Sequence, residues 1–182
     1  IRYYTTPPKV TRCILAIVGR ERSAMTPISF DSHGTLIHGE LYSPAGPGTG
    51  KTIVVVHGSD GMMEPWGSAI REYAQDLAKR GFIVLIPNYF EKTNTVLGIH
   101  VFSQASNLAA WTEVVSDACA YAKTAVGAPA PAPGLLGFSL GGNICLRLRG
   151  SAHALGEFFA PKLVAFGGIG VASGVEKPPV QI

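Results

Sequence analysis

The sequence is short of charge. Only 15% of its 182 residues are Asp, Glu, Lys or Arg, and 15 basic against 12 acidic side chains leave a net charge of +3. No Lys/Arg run exceeds two residues, so the basic stripe that tracks a phosphate backbone is missing and no nucleic acid partner is expected. Cysteine is scarce as well. Cys13, Cys119 and Cys145 are odd in number and lack the spacing of a metal site or a redox motif, so no metal and no cofactor is expected, and the reading is a reducing, cytoplasmic compartment. No apolar run approaches the ~18 residues that a spanning helix needs, so no membrane partner is expected. The apolar stretch from Cys13 to Gly19 is followed by Arg20-Glu21-Arg22, a charged cluster where a signal cleavage site would lie, which makes it a poor secretory signal.

Apolar residues are plentiful. They make up 47% of the chain, with a mean hydropathy of +0.25, the composition of one well-buried globular domain. Residues 1–24 have no clear place in the pattern and are read as an N-terminal extension, in which Pro7-Pro8 argues against regular structure. The recognisable pattern begins at Met25, read as a native start, and residues 25–182 form the domain. In it Ile28-Ser29-Phe30 and Leu36–Tyr42 read as two strands joined by a turn at Asp31-Ser32-His33-Gly34. A Gly/Pro-rich surface loop covers 43–50.

Thr52–Val56 is apolar at nearly every position, the mark of a strand covered on both faces. Pro65 suits the first turn of a helix whose apolar positions are Ile70, Tyr73, Ala74, Leu77 and Ala78, ended by Gly81 as a left-handed cap. Phe82–Ile86 is a second buried strand, stopped by Pro87. A loop over 88–101 leads to a helix with Ser103 as N-cap and the stripe Leu108, Trp111, Val115, Ala118, Cys119 and Ala122. Beyond the Pro-rich 127–133, another strand enters a short helix reaching Gly150, then a last strand at Leu163–Phe166 and a Gly/Pro-containing tail from Ser173. Strand and helix alternate from residue 52 onward after an initial hairpin. The fold class is α/β, a mostly parallel sheet with helices on both faces.

Chemistry concentrates in Gly137-Phe138-Ser139-Leu140-Gly141-Gly142, which follows the apolar Gly134-Leu135-Leu136 and precedes a helix start. A serine at the apex of a strand-to-helix turn is the nucleophile elbow of the G-x-S-x-G motif. Ser139 must take a strained backbone position, and side chains at 137 or 141 would collide with neighbouring elements. The same turn puts the Leu140 amide at a helix N-terminus, where an oxyanion would form. Gly46-Pro47-Gly48-Thr49-Gly50-Lys51 looks superficially like a phosphate-binding loop, but a strand rather than a helix follows it.

Two segments together carry a resemblance. Gly137–Gly142 after one strand and His57-Gly58-Ser59-Asp60-Gly61 after an earlier one resemble the α/β-hydrolase fold, and within it the dienelactone hydrolase-like branch. Pro87-Asn88-Tyr89-Phe90 is similar to that branch too, which often has an aspartate where this chain has Asn88. The resemblance implies a hydrolase acting on a small-molecule carboxylic ester or lactone, with Ser139 as nucleophile and the backbone N–H groups of Ser59 and Leu140 as oxyanion hole. Dienelactone hydrolase itself uses cysteine; a serine needs an adjacent base more. For His57 the expectation is a turn histidine with its ring satisfied, which shapes the loop and is not the base. Met62, Met63, Trp66, Tyr89 and Phe90 are divided between an acyl pocket and packing, and Arg147 and Arg149 are read as a solvated helix face.

The family order is nucleophile, acid, histidine. After Ser139 the chain has only His153, placed just past the elbow helix, with Glu157 and Glu176. The resemblance therefore implies that the last third of the fold is missing and that no histidine of the chain reaches Ser139. The rival reading is a non-catalytic or truncated module completed by a partner. An apolar sheet edge at Leu163–Phe166 is expected to drive homo-oligomer formation or to leave the chain less stable than a complete member of the fold. Size-exclusion mass at increasing concentration and a thermal melt check this, a monomer with a cooperative melt above ~65 °C being the contrary outcome.

Overall fold

The computed structural model describes residues 24–98, 105–125, 131–155 and 163–166. The N-terminal extension, Ser103, His100 and the tail from Ser173 lie outside them. A six-stranded sheet in the order β1-β2-β4-β3-β5-β6 runs through the described chain. Its strands are β1 (Ala24–Ser32), β2 (Thr35–Ser43), β3 (Thr52–Val56), β4 (Ile83–Pro87), β5 (Gly134–Phe138) and β6 (Leu163–Phe166). The helices are α1 (Trp66–Lys79), α2 (Ala105–Ala125) and α3 (Leu140–Leu155). Strands β4, β3, β5 and β6 are parallel neighbours, and β1 and β2 join antiparallel through β2–β4. The expected α/β architecture with a hairpin start is what forms.

The unbroken apolar strands are explained by coverage on both sides. Val54, Val56, Leu85 and Leu135 face one core with Trp111, Val115, Ala118, Ile144 and Leu148 from α2 and α3. Their neighbours Val55, Val84, Ile86 and Leu136 face the other core with Ile70, Ala74 and Ala78 from α1. Successive side chains thus alternate between two apolar layers, and the one polar residue of β3 and β4, Thr52, is buried at the start of its strand. All six residues of the stripe expected on α2 are buried. On α1 the stripe is narrower than expected: Tyr73 is exposed and meets the Phe138 ring edge-on at 5.9 Å. Helix α1 closes in a Schellman motif, with Gly81 at φ +91° and hydrogen bonds from Phe82 N to Leu77 O (3.2 Å) and Gly81 N to Ala78 O (2.9 Å).

Three segments differ from expectation. The hairpin strands are longer, meeting at the two-residue turn His33-Gly34 with both φ positive (46° and 79°), and β1 carries Pro27 because an edge strand can forgo a ladder donor. The expected loop after β4 contains a 3-10 helix, Tyr89–Thr93. Tyr89 and Phe90 are buried against the Trp111 ring at 5.8 and 4.8 Å, and the Trp111 indole N–H donates to Thr93 Oγ1 at 2.7 Å. Helix α3 passes Gly150 and ends at Leu155, so His153 is a helical residue rather than one beyond the helix.

The hairpin is pinned to α2. Ser32 Oγ donates to Asp117 Oδ2 at 2.6 Å, His33 Nε2 lies 3.3 Å from Glu113 Oε1, and Lys92 Nζ donates to the Ser32 carbonyl at 2.8 Å.

Trp111 ties α2 to the 3-10 helix and fills the centre of the larger core. Trp111→Ala is expected to lower unfolding free energy by about 3–5 kcal/mol, the range for emptying a buried aromatic site. Urea unfolding followed by circular dichroism reads it.

Candidate active site

Strand β5 ends at Phe138 and α3 begins at Leu140, leaving Ser139 alone to reverse the chain. It does so at φ +49°, a left-handed conformation that non-glycine residues seldom take. The turn is feasible because of the flanking glycines. A Cβ at Gly137 would overlap the Gly141 carbonyl, and one at Gly141 would overlap the Val56 and His57 carbonyls at the end of β3. The Ser139 carbonyl caps the new helix, accepting from Gly142 N at 2.9 Å and Asn143 N at 3.3 Å. Ser139 itself is exposed while Leu140, Gly141 and Gly142 are buried. The Leu140 N–H belongs to the first turn of α3, where amides have no partner within the helix.

The loop after β3 is brought to the same place. A methyl group at Gly58 would stand 3.5 Å from Ser139 Cβ and 3.4 Å from the Phe138 carbonyl oxygen. The loop is a tight turn closed by Gly61 N donating to Gly58 O at 3.1 Å, with Gly61 at φ +63°. Its next carbonyl, Ser59 O, accepts from Gly98 N at 2.7 Å. Gly98 was not singled out in the sequence: a Cβ there would press on the Phe90 ring and on Leu140 Cδ2, so bareness at 98 lets the segment after the 3-10 helix close over the turn. The structure therefore brings Ser139, Leu140 and the Ser59 turn together.

His57 is fully buried. Its Nδ1 lies 2.9 Å from the Gly58 carbonyl, and since a carbonyl only accepts, Nδ1 carries the proton. The ring is stacked on Tyr89 (4.1 Å, 16°) and edged by Phe90 (4.8 Å, 81°), and Nε2 has no hydrogen-bond partner among the described residues. The expectation of a satisfied turn histidine is thus half met. Desolvation lowers its pKa to about 4, partly opposed by the Gly58 bond.

The other described histidines are engaged elsewhere, His33 with Glu113 and Asp117 and His38 with Glu91. His100 and the His153 side chain lie outside the described residues. Among the described residues no histidine is hydrogen-bonded to Ser139. Tyr89 and Phe90 are core, which settles their division in favour of packing; Trp66 and Met63 are exposed. Met62 lines a separate cavity of about 170 Å³ with Glu40, Arg71 and Asn88, where Arg71 is bonded to Glu40 at 2.9 Å. Arg147 Nε donates to Asn143 Oδ1 at 3.0 Å along the helix surface. Cys119 and Cys145 are buried, and desolvation pushes both thiols up to about 12, so neither offers a thiolate near neutrality.

A histidine whose folded pKa is depressed takes its proton more readily in the unfolded chain. Its contribution is complete above pH 6.5 and is lost as pH falls toward 4. At 1.36 kcal/mol per pH unit, the loss across that window is on the order of 3 kcal/mol. Urea unfolding at pH 7.5 and pH 4.5 is expected to show this decline in the wild type and a flatter dependence in His57→Phe.

The comparisons with known proteins agree with this fold. By fold, the chain is similar to a dienelactone hydrolase-like promiscuous phosphotriesterase from metagenomic libraries, at TM-score 0.62 and 20% identity, covering 80% of this chain and 60% of that one. It is similar to a dienelactone hydrolase from Anabaena variabilis at TM-score 0.61 and 16% identity, covering 81% and 64%. A zinc-bound, cold-adapted esterase from an Arctic intertidal metagenomic library follows at TM-score 0.52 and 17% identity, covering 72% and 55%. The chain thus spans less than two thirds of the length of these solved structures. No curated protein matches the sequence at a significant level. The model of the dienelactone hydrolase family matches residues 37–162, from within β2 to beyond the elbow helix. That match covers well over half of the sequence and takes in both turns of the candidate site, and on it the chain belongs to the dienelactone hydrolase family.

Proposed function

We propose that the chain carries the nucleophile and oxyanion half of a serine hydrolase acting on a small carboxylic ester or lactone. The observation that carries the reading is Ser139 at φ +49° on a turn cleared by two glycines, beside Gly58 of the β3 turn, where an added methyl group would meet Ser139 Cβ. Strain of this kind persists only where surrounding structure over-determines it, and it exposes one hydroxyl at the carboxyl end of the sheet. In the proposed step Ser139 Oγ bonds to the substrate carbonyl carbon, its proton passes to a base, and the carbonyl electrons move onto oxygen. The Ser59 and Leu140 N–H groups hold that oxyanion, each donor supplying about 10²–10³ in rate. Collapse breaks the ester C–O bond, the leaving oxygen takes back the proton held by the base, and water then adds to the acyl carbon, breaking its bond to Ser139 Oγ and releasing the acid.

Serine rather than cysteine is supported by the chemistry of the described thiols, which are buried and protonated. The family match and the esterase and phosphotriesterase among the structural neighbours support hydrolysis in general. Among the described residues no histidine is placed to act as the base. A serine hydroxyl without one attacks slowly, so the chain alone is expected to react with strongly activated acylating or phosphonylating agents and to turn over simple esters poorly.

A fluorophosphonate probe followed by peptide mass spectrometry tests the reading. Label confined to Ser139 and abolished by Ser139→Ala is expected; a folded chain that takes no label at Ser139 overturns it. Aryl acetate turnover by the same chain is expected to fall at least about 10³-fold below that of a complete triad enzyme.

A further inference from the structure

We propose that Tyr89, acting through His57, is a positioning residue that aims the Ser59 N–H; the proposal rests on the reading of Ser139 as nucleophile and the Ser59 amide as oxyanion donor. The geometry begins with a covalent fact. The Gly58 carbonyl and the Ser59 N–H belong to one planar peptide unit, and the only cis bond among the described residues is Glu64-Pro65. In a trans unit the two groups point in opposite directions, so whatever fixes the carbonyl also fixes the donor.

Two donors fix that carbonyl: Gly61 N at 3.1 Å, which closes the turn, and His57 Nδ1 at 2.9 Å. The second can do so only if the imidazole is held. Its Nε2 has no partner among the described residues, so no hydrogen bond at that end orients the ring. The ring is oriented by the face of Tyr89 at 4.1 Å and the edge of Phe90 at 4.8 Å. The Tyr89 hydroxyl then donates to the His57 carbonyl at 2.9 Å, which fixes the preceding peptide unit. Two successive peptide planes of the turn are therefore set from one tyrosine, one by its hydroxyl and the next through the ring stacked on it.

Tyr89 is suited to this role by its own anchoring. It is fully buried in the 3-10 helix, packed on Trp111, whose indole N–H holds Thr93 of the same helix. A phenylalanine would fill the same space. The hydroxyl adds only its bond to the His57 carbonyl, and a buried hydroxyl is tolerated where such a bond is made. The Ser59 N–H itself is bonded to nothing among the described residues, as a donor kept for a ligand must be.

The test uses the 182-residue chain and two readouts: the second-order rate of Ser139 phosphonylation by a fluorophosphonate, and the amide proton–nitrogen signals of Ser59 and Leu140. Tyr89→Phe keeps the stack and removes one oxygen; about tenfold slower labelling is expected, with the Ser59 amide shifted and that of Leu140 unmoved. His57→Asn returns an N–H near the position of Nδ1–H and is expected to stay within about threefold of the wild type, whereas His57→Leu is at least about tenfold slower. Phe30→Leu loosens the same core at its stack on Tyr121, with no ring contact to His57, Tyr89 or Phe90 among the described residues. It serves as the stability control, and labelling that tracks its melting loss would reduce Tyr89 to packing and overturn the proposal. Wild-type labelling and an unmoved Ser59 amide in Tyr89→Phe would also overturn it. A wild type that takes no label ends the nucleophile reading alone, and the Ser59 amide in Tyr89→Phe then decides whether Tyr89 sets the peptide.

Discussion

The contact on which the rest depends is backbone against backbone: Gly141, in the first turn of α3, lies on the Val56 and His57 carbonyls at the end of β3. Nothing larger than a hydrogen fits there. Because β3 and β5 are hydrogen-bonded neighbours, with Val56 opposite Gly137, the same closeness brings the turn after β3 against the turn after β5. The two halves of the candidate oxyanion hole are thus products of one packing distance. Widening that distance would open the site and separate α3 from the sheet together, which joins the chemistry of the turn to the integrity of the larger core.

A second layer of order lies behind the turn. Tyr89 and Phe90, backed by Trp111, pack on a buried histidine whose Nε2 has no hydrogen-bond partner among the described residues. Such a box is chemically quiet, and its value is mechanical. Imidazole stacking and two hydrogen bonds leave the turn backbone few ways to relax, and preorganised donors do not have to reorient when charge develops. The strained Ser139 sits opposite this rigid support, and the strain and the support are features of the same few residues.

Much of this was legible in the sequence because the relevant signals are local. The buried strands Thr52–Val56 and Ile83–Pro87 declare themselves by unbroken apolar runs, α2 by its 3.6-residue stripe, and the elbow by glycines whose necessity is steric. What escaped is set by tertiary contact. The 3-10 helix at Tyr89–Thr93 has no periodicity of its own and exists because two aromatic rings find Trp111 across the core. Helix α3 runs through Gly150, where composition signals a stop. Gly98 reads as one loop glycine among 22 in the chain, and its closeness to Leu140 depends on a chain path that no local pattern encodes. The half-satisfied ring of His57 is of the same kind, since a motif can name a residue but not count its partners.

The staple between the hairpin and α2 has a temporal side. Ser32 and Asp117 are 85 residues apart, so during synthesis the carboxylate emerges about 4–17 s after the hydroxyl at translation rates of roughly 5–20 residues per second. The hairpin turn forms from neighbouring residues and needs none of that wait, while strand β2 acquires β4 only after some forty further residues have been made. For seconds, then, the nascent chain presents a formed ribbon with both edges open, β1's permanently and β2's until β4 is made, the state in which pairing with another chain competes with folding. Ser32 and His33 form the polar turn end of that ribbon from the start; Lys92 joins them 60 residues after Ser32, and Asp117 and Glu113 of α2 complete the staple last.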